Sequence, residues 1–480
     1  MIRTRRKEIQ KLTKIIESDR AELLAVYGRR RIGKTHLIHQ FFSDKGMYFE
    51  MTGIKGATLN VQLSNFIEAF SDCFGEISSI TSPKSWFEAF TLLRKKIAEV
   101  KGEERIILFF DELPWLARRK SGFLEAFEHF WNRYMSRDKR IILVICGSAA
   151  AWMIKKVLNA RGGLHGRVTQ TIRLLPFTLH ETEEFLKSRH VVLNHKQLVE
   201  VYMAFGGVAQ YLLQIERGKS SGQIIQDVCF SQSGYLMHEF HRLYASLFDN
   251  YESHIAVIRL LAKHSKGLTR EEIIRGLKWS SGGGLSKIFT ELEESGFILG
   301  VPSFGKKKTL WGYRLIDPFS LFYIRWMDEI DGKLGDLESD YWNKQQGKQS
   351  FASWAGYAFE NVCMMHINQI KRALGLGAVT TRQSQWRSNE TQVDLVIDRD
   401  DNCINLCEMK FYRGDYTMTK EEADKLEKRK WVFAENMKTK KALFTTLITS
   451  YGAKQNSEYL RVVDQHLSLE SLFRYEFVGA

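Results

Sequence analysis

Eight residues near the front of this chain limit what it can fold into: Gly28-Arg-Arg-Arg-Ile-Gly-Lys-Thr35 follows the apolar run Leu23–Tyr27 and opens a helical stretch. A strand that ends in Gly-x-x-x-x-Gly-Lys-Thr and turns straight into a helix is the context in which this spacing cradles phosphate. Glycines let the backbone come close, successive N–H groups wrap phosphate oxygens, and the helix N-terminus adds partial positive charge. In that arrangement Gly28, Arg29, Arg30, Arg31, Ile32, Gly33, Lys34 and Thr35, with His36 in the first helical turn, line a bound nucleotide. Lys34 would reach the terminal phosphates and Thr35 would ligate Mg²⁺. ATP and Mg²⁺ are the expected cofactors.

The pattern around the loop agrees. Short apolar runs at Leu23–Tyr27, Met47–Met51, Ile106–Phe110 and Ile141–Cys146 alternate with helical stretches. Strands separated by helices imply a parallel sheet covered on both faces, an α/β core. Ligands of such sheets bind at the carboxyl ends of the strands. Ile106-Ile-Leu-Phe-Phe-Asp111-Glu112 delivers two carboxylates there. Asp111 would hold Mg²⁺, and Glu112 would polarise the attacking water. The next run ends Cys146-Gly147-Ser148, where Ser148 is either a sensor of the γ-phosphate or a strand-end turn serine. In Gly163-Leu-His-Gly-Arg167, Arg167 is a candidate for stabilising transition-state charge, in cis or on a neighbouring subunit. Arg161 competes for that role, and a plain surface arginine is the other reading.

With 480 residues the chain should hold two or three compact units. Pattern changes suggest boundaries: an ATPase core over 1–177, a helical lid over 178–250, and a region over 251–330. A polar linker over 331–350 and a separate tail domain over 351–480 complete the division. Within 251–330, an apolar helix at Ile255–Ala262 precedes a helix that Thr269 caps with Glu272. A glycine-rich break, another helix and a hairpin around Phe304-Gly-Lys-Lys-Lys follow, which is a winged helix-turn-helix pattern. The net charge of +14 points to an anionic partner. Residues 1–35 hold 11 Lys/Arg against 4 Asp/Glu, whereas 351–480 hold 18 against 17, so the excess lies at the front. No apolar run is long enough to span a bilayer, no signal-peptide pattern opens the chain, and six scattered cysteines fit free thiols. A cytoplasmic protein with no membrane partner is expected.

Several motifs together resemble archaeal-type ATPases of the AAA+/STAND group of P-loop proteins. They are Arg6-Lys-Glu8 before Leu12, the phosphate loop, Phe109-Phe-Asp-Glu112, Cys146-Gly-Ser148, Leu164-His-Gly-Arg167 and Phe205-Gly-Gly-Val-Ala-Gln-Tyr-Leu212. The resemblance covers roughly residues 1–330 and implies a nucleotide clamped between the ATPase core and the helical and winged modules. One departure is Ala209, where such proteins often carry proline.

The tail has a second constellation. Glu360 lies in an apolar helix, Asp394 in the alternating run Gln392-Val-Asp-Leu-Val-Ile, and Glu408 and Lys410 in Asn405-Leu-Cys-Glu-Met-Lys410. Strand residues two apart share a face, so Glu408 and Lys410 should point together, with a hairpin partner bringing Asp394 beside them. Asp394 and Glu408, with Glu360 completing the shell, would hold Mg²⁺ and, with Lys410, position a hydrolytic water at a phosphodiester. This order resembles the PD-(D/E)xK nuclease core over about 351–470, implying a restriction-endonuclease-like mixed sheet flanked by helices. Gln392 is a further phosphate-contact candidate or an exposed edge residue. The run Lys425–Trp431 is either a DNA-backbone contact or a solvated helix face.

The expectation is an ATP-hydrolysing, Mg-dependent nuclease acting on nucleic acid, DNA above all, as a homo-oligomer, in defence or mobile-element processing. The alternatives are a STAND-like switch whose tail is an interaction scaffold, and an ATP-driven DNA-remodelling protein that does not cut.

Overall fold

The computed structural model describes residues 4–75, 82–118, 120–159, 164, 166–280, 282–305, 312–330 and 340–474. Arg161, His165 and the hairpin lysines at 306–308 lie outside the described residues. The chain divides into two compact units, Met1–Leu175 and Pro176–Ala480. Among the described residues no helix is long and apolar enough to cross a membrane.

The first unit runs α1 (Arg6–Ile16), β1 (Glu22–Tyr27), α2 (Lys34–Phe42), β2 (Met47–Thr52), α3 (Leu59–Phe74), α4 (Trp86–Glu99) and β3 (Ile106–Asp111). It continues through α5 (Leu113–Leu116), α6 (Phe123–Arg133), β4 (Ile141–Gly147), α7 (Ala150–Met153) and β5 (Gln170–Arg173). The strands form one parallel sheet in the order β2-β3-β4-β1-β5. Every residue of β1, β3 and β4 is buried, as a sheet covered on both faces requires. Alternation divides them between two cores. Leu23, Ala25, Leu108, Phe110, Leu143 and Ile145 pack with α3, α4 and α6. Leu24, Val26, Ile107, Phe109, Ile142 and Val144 pack with α1 and α2. The four expected strands are present. The fifth, Gln-Thr-Ile-Arg, has one buried residue and gives almost no apolar signal.

The second unit begins with α8 (Leu179–Ser188), α9 (His195–Phe205), α10 (Ala209–Leu212), α11 (Ser221–Ile225), α12 (Glu239–Leu247) and α13 (Tyr251–Ala262). Then come β6 (Leu268–Thr269), α14 (Arg270–Leu277), α15 (Gly283–Glu294), β7 (Ile298–Val301), β8 (Gly312–Leu315) and α16 (Pro318–Trp326). Thr269 caps α14 in a reciprocal box with Glu272, and β6, β8 and β7 form an antiparallel sheet. The tail elements are α17 (Tyr341–Gln346), α18 (Gln349–Met365), α19 (Ile367–Ala373), β9 (Thr381–Arg387), β10 (Gln392–Arg399) and β11 (Cys403–Lys410). They end with α20 (Lys420–Met437), β12 (Ala442–Thr449), α21 (Ser457–Val462) and β13 (Gln465–Leu467).

The tail sheet has the order β13-β12-β11-β10-β9. It is mixed, with β9, β10 and β11 antiparallel and β11, β12 and β13 parallel. Leu395, Ile397, Cys407 and Met409 join the core of α18, whereas Val393, Val396, Ile404 and Leu406 pack with Val432 and Phe433 of α20. One apolar cluster runs from Phe177 to Phe473, joining tail residues to the preceding helices. The segment read as a polar linker differs from that expectation: its described part contains α17, where Trp342 is fully buried and stacks on Phe230. The four polar residues Asn343, Lys344, Gln345 and Gln346 that follow hid the anchoring aromatic pair Tyr341 and Trp342.

Candidate functional site

The sheet order sets which end of the first unit gathers the loop and strand-end residues singled out in the sequence. Strand β4 lies between β1 and β3, with Tyr27 opposite Gly147 and Phe110 opposite Ile145. The loop after β1, the acids ending β3 and the serine after β4 therefore emerge along one sheet edge. At Gly28 φ is +151°, and a Cβ there would lie 2.2 Å from the Leu174 carbonyl oxygen. Gly33 holds φ +91° as the residue before α2, a left-handed position that glycine takes without steric cost. Both glycines of the motif are required by backbone shape.

Lys34 is buried and its ammonium donates to the Arg29 carbonyl at 2.9 Å. The Thr35 hydroxyl donates to Asp111 Oδ2 at 2.5 Å, joining the loop to β3. Asp111 Oδ1 accepts the Glu112 N–H at 2.8 Å. Glu112 sits at φ 48°, so the chain turns sharply between β3 and α5 and swings this side chain toward β4. Its Oε2 accepts both the Ser148 hydroxyl at 2.8 Å and the Ser148 N–H at 3.1 Å. Beneath them burial, with the Asp111 charge adding to it, pushes the Cys146 thiol well up, so this cysteine stays protonated. A hydroxyl, a carboxylate and a buried ammonium beside a loop of backbone donors suit a hard cation carried by phosphate oxygens. These residues fit Mg²⁺ and a nucleoside triphosphate.

Ser148, read as either a phosphate sensor or a strand-end turn serine, donates its hydroxyl to Glu112 in this arrangement. Arg30 lies 5.4 Å from the Trp115 ring centroid, a contact sequence reading missed. Arg31 adopts φ 69°, Ile32 is buried in the α1/α2 core, and His36 is largely exposed, its pKa lowered by partial desolvation of the ring and then by His39. Arg167 is exposed, and its N–H donates to the Leu164 carbonyl at 3.0 Å. No described hydrogen bond or ion pair carries its guanidinium to Asp111 or Glu112.

The tail residues assemble by a different logic. Cys407 and Met409 face α18, so Glu408 and Lys410 face α20 on the opposite side. They meet there, with Lys410 Nζ 3.0 Å from Glu408 Oε1, while Arg429 of α20 takes Glu408 Oε2. Lys410 also lies 3.9 Å from Glu422. Leu395 pairs with Cys407, which puts Asp394 and Glu408 at adjoining ladder positions beside the irregularity between Val393 and Val396. Asp394 Oδ1 accepts from Gln392 Nε2 at 3.1 Å, so Gln392 serves the acid directly. Glu360, from α18, accepts from Arg314 Nη2 at 2.7 Å. Arg314 comes from β8, is 1% exposed, and also donates Nε to Asn361 Oδ1 at 2.6 Å.

The charges of these groups act on one another. Burial, and then the Asp394 charge, raise the Glu360 carboxyl to about 7 against the pull of Arg314. Burial raises Asp394 too, with Glu408 adding to it and Arg314 opposing. Burial also works to raise Glu408, but Arg429 and Lys410 outweigh it and hold that carboxyl below its ordinary value. Among the described residues no group of three or more His, Cys, Asp and Glu side chains is arranged to hold a metal ion. In this arrangement Glu360 and Glu408 have arginine or lysine where a cation would sit, so the residues as placed do not fit Mg²⁺. Lys425 pairs with Glu421, Lys428 with Glu390 and Lys430 with Asp464, and Trp431 is exposed on the same helix.

Residues 3–215 match the family model described as an ATPase domain predominantly from Archaea. The Uncharacterized protein MJECL04 of Methanocaldococcus jannaschii is 22% identical over 400 residues, covering 83% of this chain and 84% of that protein. Among solved structures, the Walker-type ATPase PABY2304 of Pyrococcus abyssi has a TM-score of 0.47 at 17% identity, covering 67% of this chain and 95% of that one. The Aeropyrum pernix ORC2 protein has a TM-score of 0.41 at 14% identity, covering 70% and 96%. Residues 3–215 thus contain an archaeal-type P-loop ATPase domain.

Proposed function

We propose that the first unit hydrolyses ATP with Mg²⁺ and that this cycle governs a DNA-directed second unit. The observation that carries the reading is the continuous chain from Thr35 through Asp111 and Glu112 to Ser148 at the ends of three adjacent strands. Lys34 and the loop N–H groups bind the terminal phosphates. Thr35 and Asp111 hold Mg²⁺, which when bound offsets charge on the phosphate oxygens. Glu112, steadied by Ser148, orients the attacking water and accepts its proton. Arg167 is retained as a candidate for transition-state charge from a neighbouring subunit, which its exposure permits. Turnover should be lost in Lys34→Ala, and Glu112→Gln should keep ATP bound; full turnover in both would overturn the assignment.

For the second unit we read α13–α15 with the β6-β8-β7 sheet as a winged helix on DNA. The tail acids are read as a phosphodiesterase site in a nuclease-like domain. The net charge of +14 supports an anionic partner. The non-cleaving switch is the second reading, and the arginine and lysine pairing of Glu360 and Glu408 favours it. Plasmid or linear DNA incubated with Mg²⁺, with and without ATP, separates the two. Cleavage lost in Asp394→Ala and Lys410→Ala supports the nuclease, and equal backgrounds in all three proteins support the switch.

A further inference from the structure

We propose that the end of the tail sheet beside Lys410 is a stacking platform for the unpaired bases of single-stranded DNA, built on Tyr412 and Tyr451. This inference rests on the phosphodiesterase reading of the tail and adds the state of the strand it takes. Strands β11 and β12 run parallel with Lys410 opposite Thr449, so the loops that leave them emerge side by side. Each loop presents a tyrosine two residues past that pair. Tyr412 is 45% exposed and Tyr451 37%, whereas the neighbouring Tyr416 is 1% exposed. The backbone that carries the two rings is fixed. Ser450 N–H donates to the Lys410 carbonyl at 3.0 Å, and Ser450 Oγ accepts the Tyr412 N–H at 2.7 Å and donates to the Tyr412 carbonyl at 2.9 Å. Farther out, Tyr416 N–H donates to the Gly452 carbonyl at 3.0 Å and Lys454 N–H to the Tyr416 carbonyl at 2.8 Å. Rings held out on a bonded frame lose little freedom when something stacks on them, so ordering the loops offsets little of the gain.

Charge selects the occupant. Residues 411–416 and 450–455 carry Arg413 and Lys454 against Asp415. Lys196 of α9 adds its ammonium, 4.8 Å from the Tyr451 ring centroid and donating to the Arg413 carbonyl at 3.4 Å. Exposed aromatic faces set among cations match a polyanion that shows flat faces of its own, which an unpaired strand does and a duplex, with its bases stacked inside, does not. An acidic peptide would answer the cations and leave the phenol faces unmatched. The platform also adjoins the acid cluster. Glu408 and Lys410 face α20, and the Tyr412 ring lies 5.1 Å from that of Tyr416, which packs with Ala423 and Leu426 of the same helix. A base stacked on Tyr412 therefore brings its own backbone alongside Lys410.

The test measures binding of a fluorescent oligothymidylate to the full-length chain by anisotropy, in chelator and without nucleotide so that no cutting intervenes. Tyr412→Ala and Tyr451→Ala should each weaken binding on the order of five- to 150-fold, the loss of one stacked base. Tyr412→Phe and Tyr451→Phe keep the ring face and should bind like the parent. Affinity for the same strand paired with oligoadenylate should not change in any variant. With iodouracil in the strand, irradiation should join it to Tyr412 or Tyr451, read by mass spectrometry. Both side chains are exposed, so the variants should keep the parent's melting temperature. Alanine variants that bind the single strand like the parent, or that lose strand and duplex equally, overturn the platform. So does tighter binding of oligouridylate or of an acidic peptide than of the DNA strand. If DNA is nonetheless cut in an Asp394-dependent way, the phosphodiesterase reading survives. If the parent neither binds a single strand nor shows Asp394-dependent cleavage, both fall.

Discussion

Replacing Ser148 by alanine tests whether Glu112 works because it is held. Ser148 gives Oε2 of Glu112 two hydrogen bonds, from Oγ at 2.8 Å and from N at 3.1 Å. Alanine keeps the second and removes the first. A hydrogen bond to a charged group contributes about 1.5–3 kcal/mol. If that orienting energy is felt wholly in the transition state, kcat falls roughly 10- to 150-fold, since about 1.4 kcal/mol is a factor of ten. KM for ATP should stay within about twofold, because Lys34 and the loop carry ground-state binding and neither touches Ser148. The assay is steady-state phosphate release across ATP concentrations, with Ser148→Thr expected to restore most of kcat. In a Glu112→Gln background the serine substitution should cost nothing further, because the coupling it supplies is already gone. An unchanged kcat, or an equal loss in both backgrounds, would refute the tether.

Other outcomes follow from the same geometry. Gly28→Ala should lower the melting temperature and weaken ATP binding together in calorimetry, because its Cβ would meet the Leu174 carbonyl at 2.2 Å. Trp342→Ala should destabilise the second unit by about 3–5 kcal/mol in denaturant melts, the range for emptying a buried aromatic site. The Glu22 carboxyl lies below its ordinary 4.5: burial opposes ionisation, but hydrogen bonds from Thr169, Arg20 and Ser18 outweigh it. A carboxyl depressed on folding adds stability above its unfolded pKa and loses it as pH falls through the folded one, so Glu22→Gln should narrow the stability gap between pH 6 and about pH 3. Equal acid limbs in the two proteins would contradict that.

Much of the first unit was legible because its signals are local. Completely buried parallel strands read as unbroken apolar runs, and the loop motif combines backbone shape with side-chain chemistry inside eight residues. The short strand Gln170–Arg173 escaped because it borrows its hydrogen bonds from β1 and buries little of its own. In the tail, period-two alternation correctly put Glu408 and Lys410 on one face. It was silent on which helix that face meets.

The amino-acid order alone determined the strand–loop–helix of the Gly28–Thr35 motif, the acids at the end of β3, and the pairing of Glu408 with Lys410, because neighbours within a few residues set each of these. Tertiary structure decided what those groups answer to. Ser148 reaches Glu112 across adjacent strands 36 residues apart in sequence, and Arg314 reaches Glu360 across 46. Charge and hydrogen bonding act through space, and only the packed chain sets those distances.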